Sequence, residues 1–106
     1  MTPATPAVCG IVLAAGAGTR FGGPKALART PDGTPWIVRA VDALWAGGCD
    51  EVLVVLGAGA AEAAALIPPG ARMVVADDWA EGASASLRAG IAAARQREAD
   101  AVVILP

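Results

Sequence analysis

Between Leu13 and Lys25 the chain reads LAAGAGTRFGGPK, with four glycines, one arginine and one lysine and no acidic side chain. Glycines without a Cβ let a backbone turn sharply and come close to a ligand. Successive N–H groups can then face the oxygens of an anion. Arg20 adds a planar fork of donors and Lys25 a compact point charge, a pairing suited to polyphosphate. Lys25 is the only lysine among the 106 residues. The first acidic residue is Asp32, so Arg20, Lys25 and Arg29 leave the first 31 residues at +3 while the remainder carries −5. A tight turn kept for packing would need the glycines but not the cations, so the loop predicts phosphate binding.

Other chemistries find less support. There is no histidine, and the two cysteines, Cys9 and Cys49, lie forty positions apart, so neither a zinc site nor a Cys-His nucleophile can be assembled. Cys9 falls in an apolar run and reads as a small core residue. The net charge of −2 leaves no nucleic-acid footprint. No G-K-[ST] is present, which excludes a P-loop. GAGTRFG approaches the dinucleotide fingerprint. That fingerprint needs an acidic residue at the end of the second strand, and LGAGA stands there. A nucleoside triphosphate is the better candidate.

The elements that must hold this loop are legible from hydrophobic periodicity. AVCGIVLAA (7–15) is a continuous apolar run, expected as a strand buried on both faces. TPWIVRAVDALWAGG predicts a helix with Thr34 as N-cap, Pro35 at its first position, and Gly47 and Gly48 as its stop. A second strand is expected over 51–56 and a short helix before Pro68. ARMVVADD should hold a third strand, GASASLRAGIAAARQRE a serine-capped helix and DAVVILP a fourth strand. Trp36 and Trp45, at helical spacing, are assigned to the core; Trp79 falls in the loop 76–83 after the third strand, a second candidate site loop, where it would border the pocket. Strand and helix alternate four times, which argues a parallel sheet with helices on both faces. Ligands of such sheets bind beyond the carboxyl ends of the strands. The glycine loop leaves the first strand at that end.

LAAGAGTRFGGPKAL resembles the signature of the nucleotidyltransferases that act on sugar phosphates and cofactors, L-A-[AG]-G-x-[GS]-x-R-x-G-x-x-K, at every fixed position from Leu13 to Lys25. DDWAEGASASLRAGI resembles the W-x-x-G-x-x-x-S-L-x-x-G stretch of the branch working on the molybdenum cofactor, its cytidylyltransferases and guanylyltransferases. The resemblance implies a Rossmann-like α/β domain of three layers with a mainly parallel sheet. It implies transfer of a nucleotidyl group from an NTP to a phosphorylated acceptor, with Mg²⁺ and release of pyrophosphate. By motif, Leu13, Ala14, Ala15, Gly16 and Gly18 would line the nucleotide, and Arg20 and Lys25 would neutralise the triphosphate and the departing pyrophosphate. Asp77, Ser84 and Ser86 would stand near base, ribose or acceptor. Ser84 reads equally as a helix cap, and Asp77 with Asp78 equally as a solvated turn. Ala15, where relatives that use GTP carry glycine, narrows the space beside the base and favours CTP.

The chain is expected to form the N-terminal, nucleotide-binding part (1–106) of one nucleotidyltransferase domain, broken off after its fourth strand. The carboxylate for Mg²⁺ is expected within a few residues beyond Pro106, so no metal ligand is assigned within the chain. A chain that is instead a non-catalytic nucleotide-binding or regulatory module is the alternative from a different class. Molybdopterin is the acceptor implied, with a sugar phosphate as alternative and a molybdoenzyme or maturation factor as a possible protein partner. No nucleic-acid or membrane partner is expected. The N-terminal apolar stretch lacks a basic region and is broken by prolines and glycines, which argues against a signal peptide. The two cysteines imply no disulfide framework, and a cytoplasmic location is expected.

Overall fold

In the computed structural model, which describes residues 5–16 and 25–106, the first strand β1 (Val8–Ala14) lies inside a four-stranded parallel sheet. β2 (Glu51–Leu56), β3 (Arg72–Val75) and β4 (Ala101–Leu105) complete it in the order β3-β2-β1-β4. All three pairings are parallel, with Ile11 opposite both Leu53 and Ile104. The fold is α/β with a parallel sheet, as the alternation of elements predicts, and Rossmann-like, as the resemblance implies.

Strand alternation divides the core in two. Val12, Ala14, Val52, Val54 and Leu56 face α1 (Trp36–Ala46), whose Ile37, Ala40, Val41 and Leu44 are buried against them. The four-residue helix α2 (Ala60–Ala63) lies on the same face through the buried Ala63. Cys9, Ile11, Ala15, Leu53 and Val55 face α3 (Ala83–Gln96), which contributes Ala94. Burying a side chain such as Ile11 or Leu53 stabilises the sheet by about 1.5–3 kcal/mol. The outer strands are less covered, with Met73 50 % and Val103 46 % exposed. Burial on both faces therefore holds for β1 and β2, as read, and not for the outer pair.

Two aspartates set the register at the amino ends of the strands. Asp50 accepts from the Val8 N–H at 2.8 Å and Asp100 from the Ala7 N–H at 2.7 Å, while their own N–H groups donate to the Val8 and Ala7 carbonyls. Arg97 forms a two-pronged ion pair with Glu51 at this same end.

Helix starts differ from expectation. α1 begins at Trp36 with Pro35 at the N-cap, one residue beyond the expected Thr34, because the Thr34 carbonyl already accepts from the Thr30 N–H in the preceding turn. α3 is not capped by a serine. Its N-cap is Gly82, at φ 114°, a conformation that a Cβ disfavours.

Candidate functional site

In a sheet of order β3-β2-β1-β4 the chain winds outward from β1 to β3 and then returns to the far side of β1. The chain leaves β1 toward β2 and re-enters the sheet as β4 on the other side of β1, so the order reverses between β1 and β4 and a crevice is expected at their carboxyl ends. A cleft of about 420 Å³ lies there, lined by Leu13 of β1, by Ala15 and Gly16 just after it, and by Pro106 after β4. Lys25 closes one side; Trp79, Gly82 and Ser86 are on the others. That volume is within the range of small-molecule pockets, about 300–1,000 Å³.

Each wall has a local cause. Lys25 opens a 3-10 turn (Lys25–Leu27) whose Ala26 is fully buried in the α1-side core, and the Ala28 N–H donates to the Lys25 carbonyl at 3.0 Å. Burial pushes the Lys25 ammonium below the ordinary lysine range. Its Nζ lies 4.5 Å from the centroid of the Trp36 ring. Trp79 opens a 3-10 turn (Trp79–Glu81) after β3 and is held by its N–H donating to the Ala76 carbonyl at 3.2 Å. Ala76 in turn donates to Leu56 at 2.8 Å, which ties the loop back onto the end of β2. The amino end of α3, with no acidic residue in its first turn, borders the cleft at Gly82 and Ala83 and adds the positive end of a helix dipole. Ser86, 5 % exposed, is the one buried polar residue among the described residues.

Of the residues singled out in the sequence, Leu13, Ala15, Gly16, Lys25 and Ser86 meet in this cleft. Ala14 points into the α1-side core, opposite to its neighbours on the strand. Asp77 and Ser84 are exposed and do not line the cleft. Ser84 and Ser86 are two residues apart on one helix, about 200° around its axis, so only one of them can face the cleft. Ser84 makes no capping hydrogen bond either. Asp77 leaves β3 while the chain is still two strands away from β1. Gly18 and Arg20 lie outside the described residues. Arg29, counted with the positive loop, donates to the Gly33 carbonyl at 2.7 Å and does not line the cleft. Gly82, a fixed position of the second motif, lines it together with Pro106, and Ala80 and Ala83 line it without having been singled out. Alanine carries no chemical signal by residue type, so Ala80 and Ala83 could be found only from the geometry.

A metal has little to hold it here. Among the described residues no three His, Cys, Asp or Glu side chains cluster, and no carboxylate lines the cleft. These residues do not make up a Mg²⁺ site.

The MobA-like NTP transferase domain, as a family model, matches residues 10–106. The chain belongs to that family. It is 45 % identical over 95 residues to the nicotine blue oxidoreductase of Paenarthrobacter nicotinovorans, a match covering 87 % of this chain and 46 % of that protein. Rv0371c from Mycobacterium tuberculosis H37Rv superimposes with a TM-score of 0.77 at 31 % identity, over 97 % of this chain and 53 % of the other. The CTP:phosphocholine cytidylyltransferase LicC from Streptococcus pneumoniae does so with a TM-score of 0.69 at 25 % identity, over 92 % of this chain and 44 % of that enzyme. The chain thus spans about half the length of the relatives it matches. Among the described residues, no helix of this MobA-like chain is long and apolar enough to cross a membrane.

Proposed function

We propose that this chain is the nucleotide-binding part of a nucleotidyltransferase that moves a nucleotidyl group, CMP in preference to GMP, onto a phosphorylated acceptor. The observation that carries the reading is the cleft at the β1/β4 crevice. There the sole lysine, the end of β1, the buried Ser86 and the amino end of α3 surround one cavity. In the proposed reaction an acceptor phosphate oxygen attacks the α-phosphorus, the bond to the β-phosphate oxygen breaks, and pyrophosphate leaves. Lys25, joined by Arg20, offsets the charge that builds on the departing pyrophosphate. Ala15 and Leu13 bound the space for the base, and Ser86 offers a hydroxyl at its buried wall. LicC, named for CTP and phosphocholine, supports a cytidine nucleotide and a phosphorylated acceptor. Molybdopterin is the acceptor favoured by the Trp79–Gly90 segment, with a sugar phosphate as the alternative. Cys9 and Cys49 are free thiols, which suits a reducing compartment such as the cytoplasm. The cleft lining supplies no carboxylate for Mg²⁺ among the described residues, so the charge on the phosphates falls to the basic side chains.

A second reading rests on the relative at 45 % identity, which is named an oxidoreductase. The same cleft would then hold the reductant of a redox step, with NADH as the probe of that reading. Calorimetric titration with CTP, GTP and NADH separates the two. Saturable CTP binding, tighter than GTP, is expected. Binding of the dinucleotide alone would transfer the cleft to the reductase reading, and no binding of any of the three would overturn both.

A further inference from the structure

The Lys25 ammonium stands over an aromatic face rather than beside a carboxylate. Its Nζ is 4.5 Å from the Trp36 ring centroid, within the reach of a cation–π contact. Among the described residues the ion pairs are Arg39–Asp32 and Arg97–Glu51, and neither involves Lys25. Asp32, the acid nearest in sequence, is engaged by the Thr30 hydroxyl, the Thr34 N–H and Arg39.

The backbone also couples the two residues. The Ala28 N–H donates to the Lys25 carbonyl at 3.0 Å, and the Trp36 N–H donates to the Ala28 carbonyl at 2.8 Å. Arg29 and Pro35 pair across the same loop as an isolated bridge. Trp36 opens α1 and packs, half-buried, on the α1-side core, so the ring itself is held. Lys25 lines the cleft and Trp36 does not.

We propose that Trp36 is a positioning residue: its ring holds the Lys25 ammonium at the wall of the cleft, oriented for the phosphates of an incoming nucleotide. The proposal rests on the nucleotide-binding reading of the cleft. A carboxylate would hold the ammonium equally well but would neutralise it. A ring holds it through its quadrupole and leaves the full charge for a phosphate. A lysine free in solvent must give up much rotamer freedom on meeting a ligand. One already resting on a ring gives up less, which is preorganisation.

Because Lys25 is the only lysine, biosynthetic labelling with ¹³Cε-lysine yields a single side-chain signal. In the wild-type chain the Lys25 ε-CH₂ signal is expected upfield, shifted by the Trp36 ring current. Trp36→Leu should return it to the free-lysine position, and Trp36→Phe should keep a smaller shift. Titration with CTP should then show affinity reduced about two- to fivefold in Trp36→Leu and by less in Trp36→Phe. Should Trp36→Leu fail to fold, judged by its thermal transition, the Phe variant carries the comparison alone. An unshifted ε signal in a wild-type chain that binds CTP would overturn the positioning role and leave the nucleotide reading intact. A shifted signal in a chain that binds no CTP would overturn the nucleotide reading instead, and with it the role assigned to the ring. Unchanged or tighter CTP binding in Trp36→Leu, with the ε signal released, would also overturn the proposal.

Discussion

Trp79 rests directly on the backbone of Gly57: a Cβ at position 57 would stand 2.4 Å from the Trp79 Cβ and 2.8 Å from the Ala15 carbonyl oxygen. The Ala58 N–H donates to that same Ala15 carbonyl at 3.2 Å. The loops after β1, β2 and β3 therefore converge at one point, and the indole can form a wall of the cleft only because residue 57 has no side chain.

Gly57→Ala should consequently displace Trp79. Overpacking of this kind costs about 1–3 kcal/mol. The expected result is a lower thermal midpoint together with a moved indole N–H resonance for Trp79, while those of Trp36 and Trp45 stay in place. An unmoved Trp79 resonance would show that the indole does not depend on Gly57.

Lys25→Ala should weaken CTP binding by more than tenfold in calorimetry, since a hydrogen bond to a charged group contributes about 1.5–3 kcal/mol. Affinity should also fall as pH rises and the ammonium loses its proton. Burial sets that loss below the ordinary lysine range. Unchanged affinity would return the glycine loop to a packing role.

Ala15, 2 % exposed, lines the cleft beside Leu13 and Gly16. Ala15→Gly should widen the place assigned to the base and shift preference from CTP toward GTP when the two compete in one assay. No shift would remove the argument from its methyl group.

Glu98 holds φ 58° just after α3, where its N–H donates to Arg95 and the Ala99 N–H to Ala94. α1 closes with the same bonding pattern around Gly48 at φ 96°. A left-handed conformation costs a side-chain-bearing residue about 1–2 kcal/mol, partly offset by the greater unfolded freedom of glycine. Glu98→Gly should therefore raise the thermal midpoint by a few degrees in a calorimetric scan, and a lower midpoint would contradict the strain assigned to this position.

The elements and their order were legible in the sequence because each is written in local periodicity. The apolar runs at β1 and β2 are buried as read, and the amphipathic face of α1 covers Val12 and Val54 as its spacing requires. That Lys25 belongs to the cleft was legible as well, since a lone lysine beside glycines in an acid-free stretch is a matter of residue type. Which residues meet was decided by the tertiary structure. Whether Ala14 or its neighbours Leu13 and Ala15 face the cleft depends on which helix covers which side of the sheet. Ser86 rather than Ser84 lines it because α3 starts at Ala83, just after its N-cap Gly82, and that start sets the helical phase. Asp77 remains outside because β3 is an edge strand, two positions from β1. Trp36, by helical spacing a core residue, proves to be the surface over which the Lys25 ammonium stands. Periodicity assigns a side chain to the buried face of its own element. A contact between elements depends on how those elements are placed in three dimensions, and no local pattern encodes that placement.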